Sequence, residues 1–555
     1  MLAPTLTGRI HHAATHSQTG VTFVSGDVGT RVGWSDLYTD ALGYAAVLQQ
    51  RGIRPGSNVA ILGPTTRPLV TAIEAVWLAG ASTVVLPLPM RLASIDEFIK
   101  QTRQRIQHAD VSLLLIDEEF APFVPPADMP PMLTFAELTV GDAASFVVVD
   151  PPADALAVLQ FTSGSTAEPK GVMLPHRTVC ANLDAIAAAA ALDVNAEVMV
   201  SWLPLYHDMG LVGFLILPMA HGVELVLGAP QEFLGDPARW MRWMSTYAGT
   251  ATAGPNFAWV LATRALARSE KLDLSPMRIA LNGAEPVDCA AVQRFVDAAV
   301  PHGLRPGAVY PAFGMAEVVI AGTFPEPMQG LRVDRVDRDA LELEHRAVPC
   351  TDASARELAF LGRAVPGLEL RIVDPASGAV LDDREVGELQ IRGSSVTTGY
   401  YKQPEANSEL FDGEWLRTGD LAYLVDGEMV MCGRIKDVII IGGRNIFPEE
   451  VERAVGDLDG VRAGNVVAFG VDSARGKEAI VIVAETNADD PHDVARHMAQ
   501  RVIETIGLPP KDIVLVGGGT LPKTSSGKLQ RSLCRTLYST NAFTDLRWQS
   551  HAIRR

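Results

Sequence analysis

Ten residues hold the densest chemistry in the chain: Thr162-Ser163-Gly164-Ser165-Thr166-Ala167-Glu168-Pro169-Lys170-Gly171. They carry four hydroxyls, two glycines and one lysine. Such a loop lets backbone N–H and side-chain O–H groups converge on phosphate oxygens, and the lysine adds a point charge. The spacing is not Gly-x-x-x-x-Gly-Lys-Ser/Thr, so this is not the phosphate loop of P-loop NTPases. Alone, the segment also reads as a polar surface hairpin. Other single charges stand in short segments: Glu285 after Asn282-Gly283-Ala284, Glu317 after Gly314-Met315-Ala316, Asp420 after Arg417-Thr418-Gly419, Arg434 after Gly433, and Lys528 after Ser525-Ser526-Gly527. A Gly-x-Ser-x-Gly nucleophile elbow is absent. Scattered single charges suit a reaction driven by positioning and electrostatics.

The elements that must hold these residues alternate. Strand-like apolar runs (Val59–Leu62, Thr83–Leu88, Ser112–Ile116, Ala155–Phe161, Val198–Leu203, Glu224–Leu227, Ile279–Leu281, Ala308–Tyr310) are separated by helical stretches such as Trp34–Arg51 and Arg177–Ala191. This is the signature of layered α/β architecture. After Leu370 short strands with turns take over. Beyond Gly433 a small α+β unit of about 120 residues follows, with helices expected over Pro448–Val455 and Val494–Ile506. The expected organisation is a large domain over 1–433, a linker over 434–437 and a small domain over 438–555.

Length and composition narrow the function class. The 555 residues imply roughly two to four domains. A net charge of −18 argues against nucleic acid as a partner. Five scattered cysteines with no Cys-x-x-Cys pair predict reduced thiols in a cytoplasmic compartment and no structural metal. Met1–Gly20 lacks the apolar stretch of a secretory signal. The most apolar window, Leu69–Leu88, holds Glu74 and reads as a buried helix entering a strand, so no transmembrane segment is expected.

The loop at Thr162, the Tyr310–Glu317 and Arg417–Asp420 segments and Leu521-Pro522-Lys523-Thr524-Ser525-Ser526-Gly527-Lys528-Leu529 together resemble the adenylate-forming superfamily of acyl-CoA synthetases, luciferases and peptide-synthetase adenylation domains. The likeness runs from about Val59 to Arg531. It implies a large multi-subdomain N-terminal domain of layered sheets and a small mobile α+β C-terminal domain. It further implies ATP and Mg²⁺ as cofactors and conversion of a carboxylic acid to an acyl-adenylate. Residue by residue, it implies that Thr162, Ser163, Gly164, Ser165, Thr166 and Lys170 grip phosphate, and that Gly283, Ala284, Glu285, Tyr310, Gly314, Met315 and Ala316 lie around the nucleotide. Glu317 would hold magnesium with Thr166 as a second ligand, Asp420 the ribose hydroxyls, and Arg434 the ribose and phosphate. Lys436 would be the hinge, and Lys528 the catalytic ammonium at the carboxylate–phosphate junction.

The Trp202-Leu203-Pro204-Leu205-Tyr206-His207-Asp208-Met209-Gly210 block is similar to the fatty acyl-AMP ligase branch, with His207 near the substrate and thiol channel. Arg444 in Gly442-Gly443-Arg444-Asn445 stands where acyl-CoA ligases more often carry Glu. The polar stretch Leu331–Glu357 resembles an extra segment thought to restrain the C-terminal domain and disfavour free CoA. The implied reaction loads a fatty acid onto the phosphopantetheine thiol of an acyl carrier protein. The alternatives are an acyl-CoA synthetase and an inactive nucleotide- or lipid-binding relative. Expected acyl-pocket walls are Trp202, Met209, Phe214, Phe257, Trp259 and Phe313. Arg531, Arg535, Arg547, Arg554 and Arg555 form a basic terminal segment that could aid carrier docking.

Overall fold

The computed structural model describes residues 3–88, 95–124, 129–162, 170–352, 355–472, 478–524, 528–543 and 547–549. Its two largest sheets are built from β1 (Gly20–Ser25), β2 (Val28–Gly33), β3 (Asn58–Leu62), β4 (Ser82–Val85), β5 (Val111–Ile116), β6 (Met132–Thr134), β7 (Leu156–Phe161), β8 (Gly171–Pro175), β9 (Val198–Ser201), β10 (Glu224–Gly228), β11 (Ala251–Gly254), β12 (Ile279–Asn282) and β13 (Val309–Pro311). One sheet has the order β13-β12-β11-β9-β10-β1-β2, the other β6-β5-β3-β4-β7-β8. All pairings are parallel except the edge hairpins β1–β2 and β7–β8. Parallel strands covered on both faces should be apolar throughout, and β3, β4 and β11 are buried at every residue.

Helices cover the sheets. Helix Arg67–Leu78 starts with proline in its first turn and buries every residue from Leu69 to Leu78, Glu74 included. Helix His176–Ala189 packs against β7 and β8 of the second sheet. The expected strands and helices are all present with ends shifted by a few residues. The thiols of Cys180, Cys289, Cys350, Cys432 and Cys534 are all free.

A mixed antiparallel sheet over Leu368–Val373, Gly387–Gly393, Trp415–Val425 and Glu428–Arg434 follows. Arg417–Asp420 therefore lies inside a long strand, not in a loop before one, and Gly419 takes a positive φ of 70° there. One apolar core runs from Leu6 to Met429. Separate clusters pack the C-terminal region, where helices Pro448–Gly456 and Pro491–Ile506 meet the strands Val461–Asp472, Glu478–Thr486 and Asp512–Val516. Among the described residues no helix is long and apolar enough to cross a membrane.

Candidate active site

The carboxyl ends of β7, β9, β11, β12 and β13 open into one cleft of about 2730 Å³, the usual ligand position in an open α/β sheet. Thr162, Lys170, His207, Gly283, Ala284, Glu285, Tyr310, Gly314, Met315, Ala316, Glu317, Asp420, Arg434, Lys436 and Lys528 all line it. Ser163, Gly164, Ser165 and Thr166 lie outside the described residues. The base of their loop is closed by Thr162 N–H donating to the Lys170 carbonyl at 3.1 Å.

Lys170 Nζ sits 4.6 Å from the centre of the Tyr400 ring, and the Tyr400 hydroxyl donates to Glu317 Oε1 at 2.8 Å. Burial raises the Glu317 carboxyl, an effect the Tyr400 hydrogen bond partly offsets. Glu317 is carried on the single turn Ala316–Val318, and Val319 closes that turn at φ 72°, ψ −61°. A β-branched residue in that rare turn stores strain. Gly314 is needed one turn earlier, because a Cβ there would lie 1.8 Å from the Ile320 carbonyl oxygen.

Asp420 faces Arg434 across an antiparallel pairing, with Arg434 Nε 3.0 Å from Oδ1. Oδ2 has no hydrogen-bond partner among the described residues. Burial pushes the Asp420 carboxyl up to about 6 against the pull of Arg434. The loop 282–288 is fastened by Asn256: its N–H donates to Glu285 Oε1 at 2.8 Å, and its Oδ1 accepts from Asn282 Nδ2 at 3.0 Å and from Asp288 N–H at 3.2 Å. His207 Nδ1 lies 2.5 Å from Asp208 Oδ1. Asp208 begins the π-helix Met209–Ile216, accepting from Met209 N–H at 2.8 Å. Burial opposes the Asp208 carboxylate, but His207 and then Lys528 outweigh it and hold it below its usual range.

Lys528 enters from the C-terminal region. Its N–H donates to Thr524 Oγ1 at 3.1 Å and its carbonyl accepts from Thr524 N–H at 2.7 Å. Burial lowers its ammonium; Asp208 and Glu285 act in the opposite sense. Lys436 sits in the turn Ile435–Asp437, directly after the strand ending at Arg434.

This constellation places a cation (Lys528), a ribose-sized carboxylate acceptor (Asp420) and a buried hard-oxygen donor (Glu317) around one space. The AMP-binding enzyme family matches residues 10–401. The chain belongs to the AMP-binding enzyme family. A Mycobacterium tuberculosis protein named only as a ligase, Rv1013, is 40% identical over 96% of this chain and 99% of its own length. The 4-hydroxyphenylalkanoate adenylyltransferase of Mycobacterium marinum is 32% identical over 98% and 93%. A solved structure from a study of fatty acyl-adenylate ligases of E. coli and L. pneumophila superposes with a TM-score of 0.90, at 30% identity, over 97% of this chain and 98% of that one. This AMP-binding enzyme is thus an adenylate-forming ligase in sequence and fold.

Some expectations fail on packing grounds. Trp202 and Trp259 do not line the cleft. Trp202 stacks on Phe233 at 3.9 Å, and Trp259 packs against Trp240 and Phe295, each at 4.6 Å, so both are core. Met209, Phe214, Phe257 and Phe313 do line it. Arg531 is no surface cation: it pairs with Asp437 at 2.8 Å, Glu452 at 2.9 Å and Glu449 at 3.1 Å. Arg554 and Arg555 lie outside the described residues. Tyr400 and Asn256 were missed; Tyr400 follows a glycine in an unremarkable Gly-Tyr-Tyr run, and only the fold brings it to Glu317.

Proposed function

We propose that the chain adenylates a fatty acid with ATP and passes the acyl group to the phosphopantetheine thiol of an acyl carrier protein. The observation carrying the first half is that one continuous cleft joins the Lys528, Glu317 and Asp420 cluster to an apolar arm. The acid's carboxylate oxygen attacks the α-phosphorus of ATP, and the bond to pyrophosphate breaks. Lys528 offsets charge developing at that junction. Asp420 holds the ribose hydroxyls and Arg434 keeps that carboxylate ionised. Lys170 and the hydroxyl loop grip the phosphates. Among the described residues no cluster of three or more acidic, His or Cys side chains could cage a metal. One carboxylate with phosphates and waters suits Mg²⁺, so Glu317 would hold that ion, with Thr166, outside the described residues, as the second ligand the sequence implies; bound there, it would neutralise phosphate charge. The thiol then attacks the acyl carbon and AMP leaves, with His207 beside that path.

Choice of carrier over CoA rests on a latch. Helix Arg338–Leu343, inside the polar stretch noted above, meets the C-terminal region. Arg338 pairs with Glu450 at 2.6 Å and also with the Thr505 carbonyl. Arg444 pairs with the fully buried Glu342 at 2.6 Å. A small domain restrained in this way cannot freely reorient for a soluble thiol. The double variant Arg338→Ala/Glu342→Ala, which breaks both pairs, is expected to raise acyl-CoA formation about tenfold, a population shift of about 0.7 kcal/mol from each pair, while pyrophosphate exchange changes little. Rapid acyl-CoA formation by the unmodified protein, or none from any acid with holo-carrier, overturns the carrier reading.

The ribose role is tested by pH. A carboxylate accepts from both hydroxyls, whereas its protonated form accepts fewer. Adenosine affinity is expected to rise about tenfold as pH climbs through about 6, the value to which Asp420 is pushed. In Asp420→Asn that rise disappears. Calorimetry from pH 5 to 7.5 checks it.

A further inference from the structure

The apolar arm has a charged end. Its lining follows β12 back to the residue before that strand, where it meets the C-terminal end of helix His176–Ala189. Ile186, Ala190, Met199, Leu217 and Ile279 line it. Arg278, the residue before β12, lines the far end. Its Nε donates to Glu197 Oε1 at 2.5 Å, and its Nη atoms donate to the carbonyls of Ala190 at 2.8 Å and Ala191 at 3.2 Å. Glu197 is buried, while the Arg278 side chain keeps 19% exposure. The guanidinium therefore plugs the arm between apolar wall and solvent. Nearby, the Tyr310 phenol is fully buried with no hydrogen-bond partner among the described residues, and Arg278 is the charged group that acts on it.

We infer that the Arg278–Glu197 pair is the floor of the acyl site and acts as a chain-length ruler. The inference rests on the fatty-acid reading above. From Gly283 at the reacting end to Arg278 is five residues of strand, about 17 Å at 3.3 Å per residue. A fully extended chain advances about 1.2 Å per bond, so the arm holds roughly 12 to 14 carbons. Discrimination is asymmetric. Each methylene removed below the limit costs about fourfold in kcat/KM. Each one added above it must displace a buried ion pair already hydrogen-bonded to the helix end, so the profile falls steeply.

The test is pyrophosphate exchange with saturated acids from C6 to C20. The unmodified protein is expected to rise about fourfold per methylene up to C12–C14 and then to fall by at least tenfold per methylene over the next two carbons. Arg278→Met/Glu197→Gln, which removes the plug without orphaning a buried charge, is expected to move the fall to C18 or beyond. Ala190→Leu, a filling change one step above the floor, is expected to move it shorter. The unmodified protein also gives a readout free of folding risk. An ω-hydroxyl on C8 lies against apolar wall and is expected to cost at least tenfold, whereas on C13 it reaches the Tyr310 phenol and Arg278 and costs less than threefold. A profile that none of these changes shifts, with equal ω-hydroxyl penalties at both lengths, overturns the ruler and leaves the fatty-acid reading standing. No exchange with any acid overturns both.

Discussion

Lys528→Ala is expected to cut acyl-adenylate formation by about 10²–10³, the usual loss on removing one preorganised charge from a developing anion. The loop that bears Lys528 is pinned by its own Thr524, so truncating the side chain leaves the main chain in place. Two carboxylates, Asp208 and Glu285, face the ammonium across the cleft, so the lysine reaches the reacting end from the C-terminal side. Only interactions stronger in the transition state accelerate a step. During adenylation the charge develops at the junction of the α-phosphate and the departing pyrophosphate, whereas thiol attack first builds charge on the acyl carbonyl oxygen before AMP departs. Single-turnover transfer from preformed acyl-adenylate is therefore expected to change less than threefold. Equal loss in both half-reactions would mark Lys528 as a structural residue.

Thermal stability is expected to fall between about pH 4.5 and 8 and to level off above that, and Glu74→Gln is expected to abolish that slope. Glu74 is fully buried on helix Arg67–Leu78, and neither carboxyl oxygen has a hydrogen-bond partner among the described residues. Burial, with Asp40 nearby, pushes it from 4.5 up to about 8. Because the folded-state value is raised, the fold binds more protons than the unfolded chain between those limits. Stability is fully present below about 4.5 and is lost as pH rises through about 8. At about 1.4 kcal/mol per unit the loss is on the order of 5 kcal/mol, a large part of a typical domain's margin. Calorimetric melts of the two proteins across that range decide it; parallel slopes would place the titration elsewhere.

Much of the fold was legible because parallel strands announce themselves as apolar runs, and β3, β7 and β12 each lie within a few residues of expectation. The grouping of Lys170, Glu317, Asp420 and Lys528 in one cleft was legible through the motifs that resemble the family's, although Asp420 lies inside a long strand and not in the expected loop. What could not be read is whatever long-range packing decides. The Tyr400–Glu317 contact joins residues 83 apart, and nothing local in either segment signals it. An aromatic residue in a chemically rich block gives no hint of which face it will bury. Trp202, beside His207 in sequence, turned into the Phe233–Trp240 cluster instead of the cleft. Arg531 shows the same limit for charge: Asp437 from the linker turn and Glu449 and Glu452 from helix Pro448–Gly456 claimed a residue that composition alone places in solvent.

Two anchors flank the linker. Arg434 is tied to Asp420 on the large side, and Asp437 is tied through Arg531 to the small side. Only Ile435 and Lys436 lie between them, bridged by a single backbone hydrogen bond from Val438 N–H to the Arg434 carbonyl at 3.2 Å. A tether that short permits turning but almost no translation. A lobe hinged on such a pin would swing on an arc of fixed radius with Lys528 at a set distance from the pin, and the Arg338 and Glu342 contacts would hold it at the angle seen here.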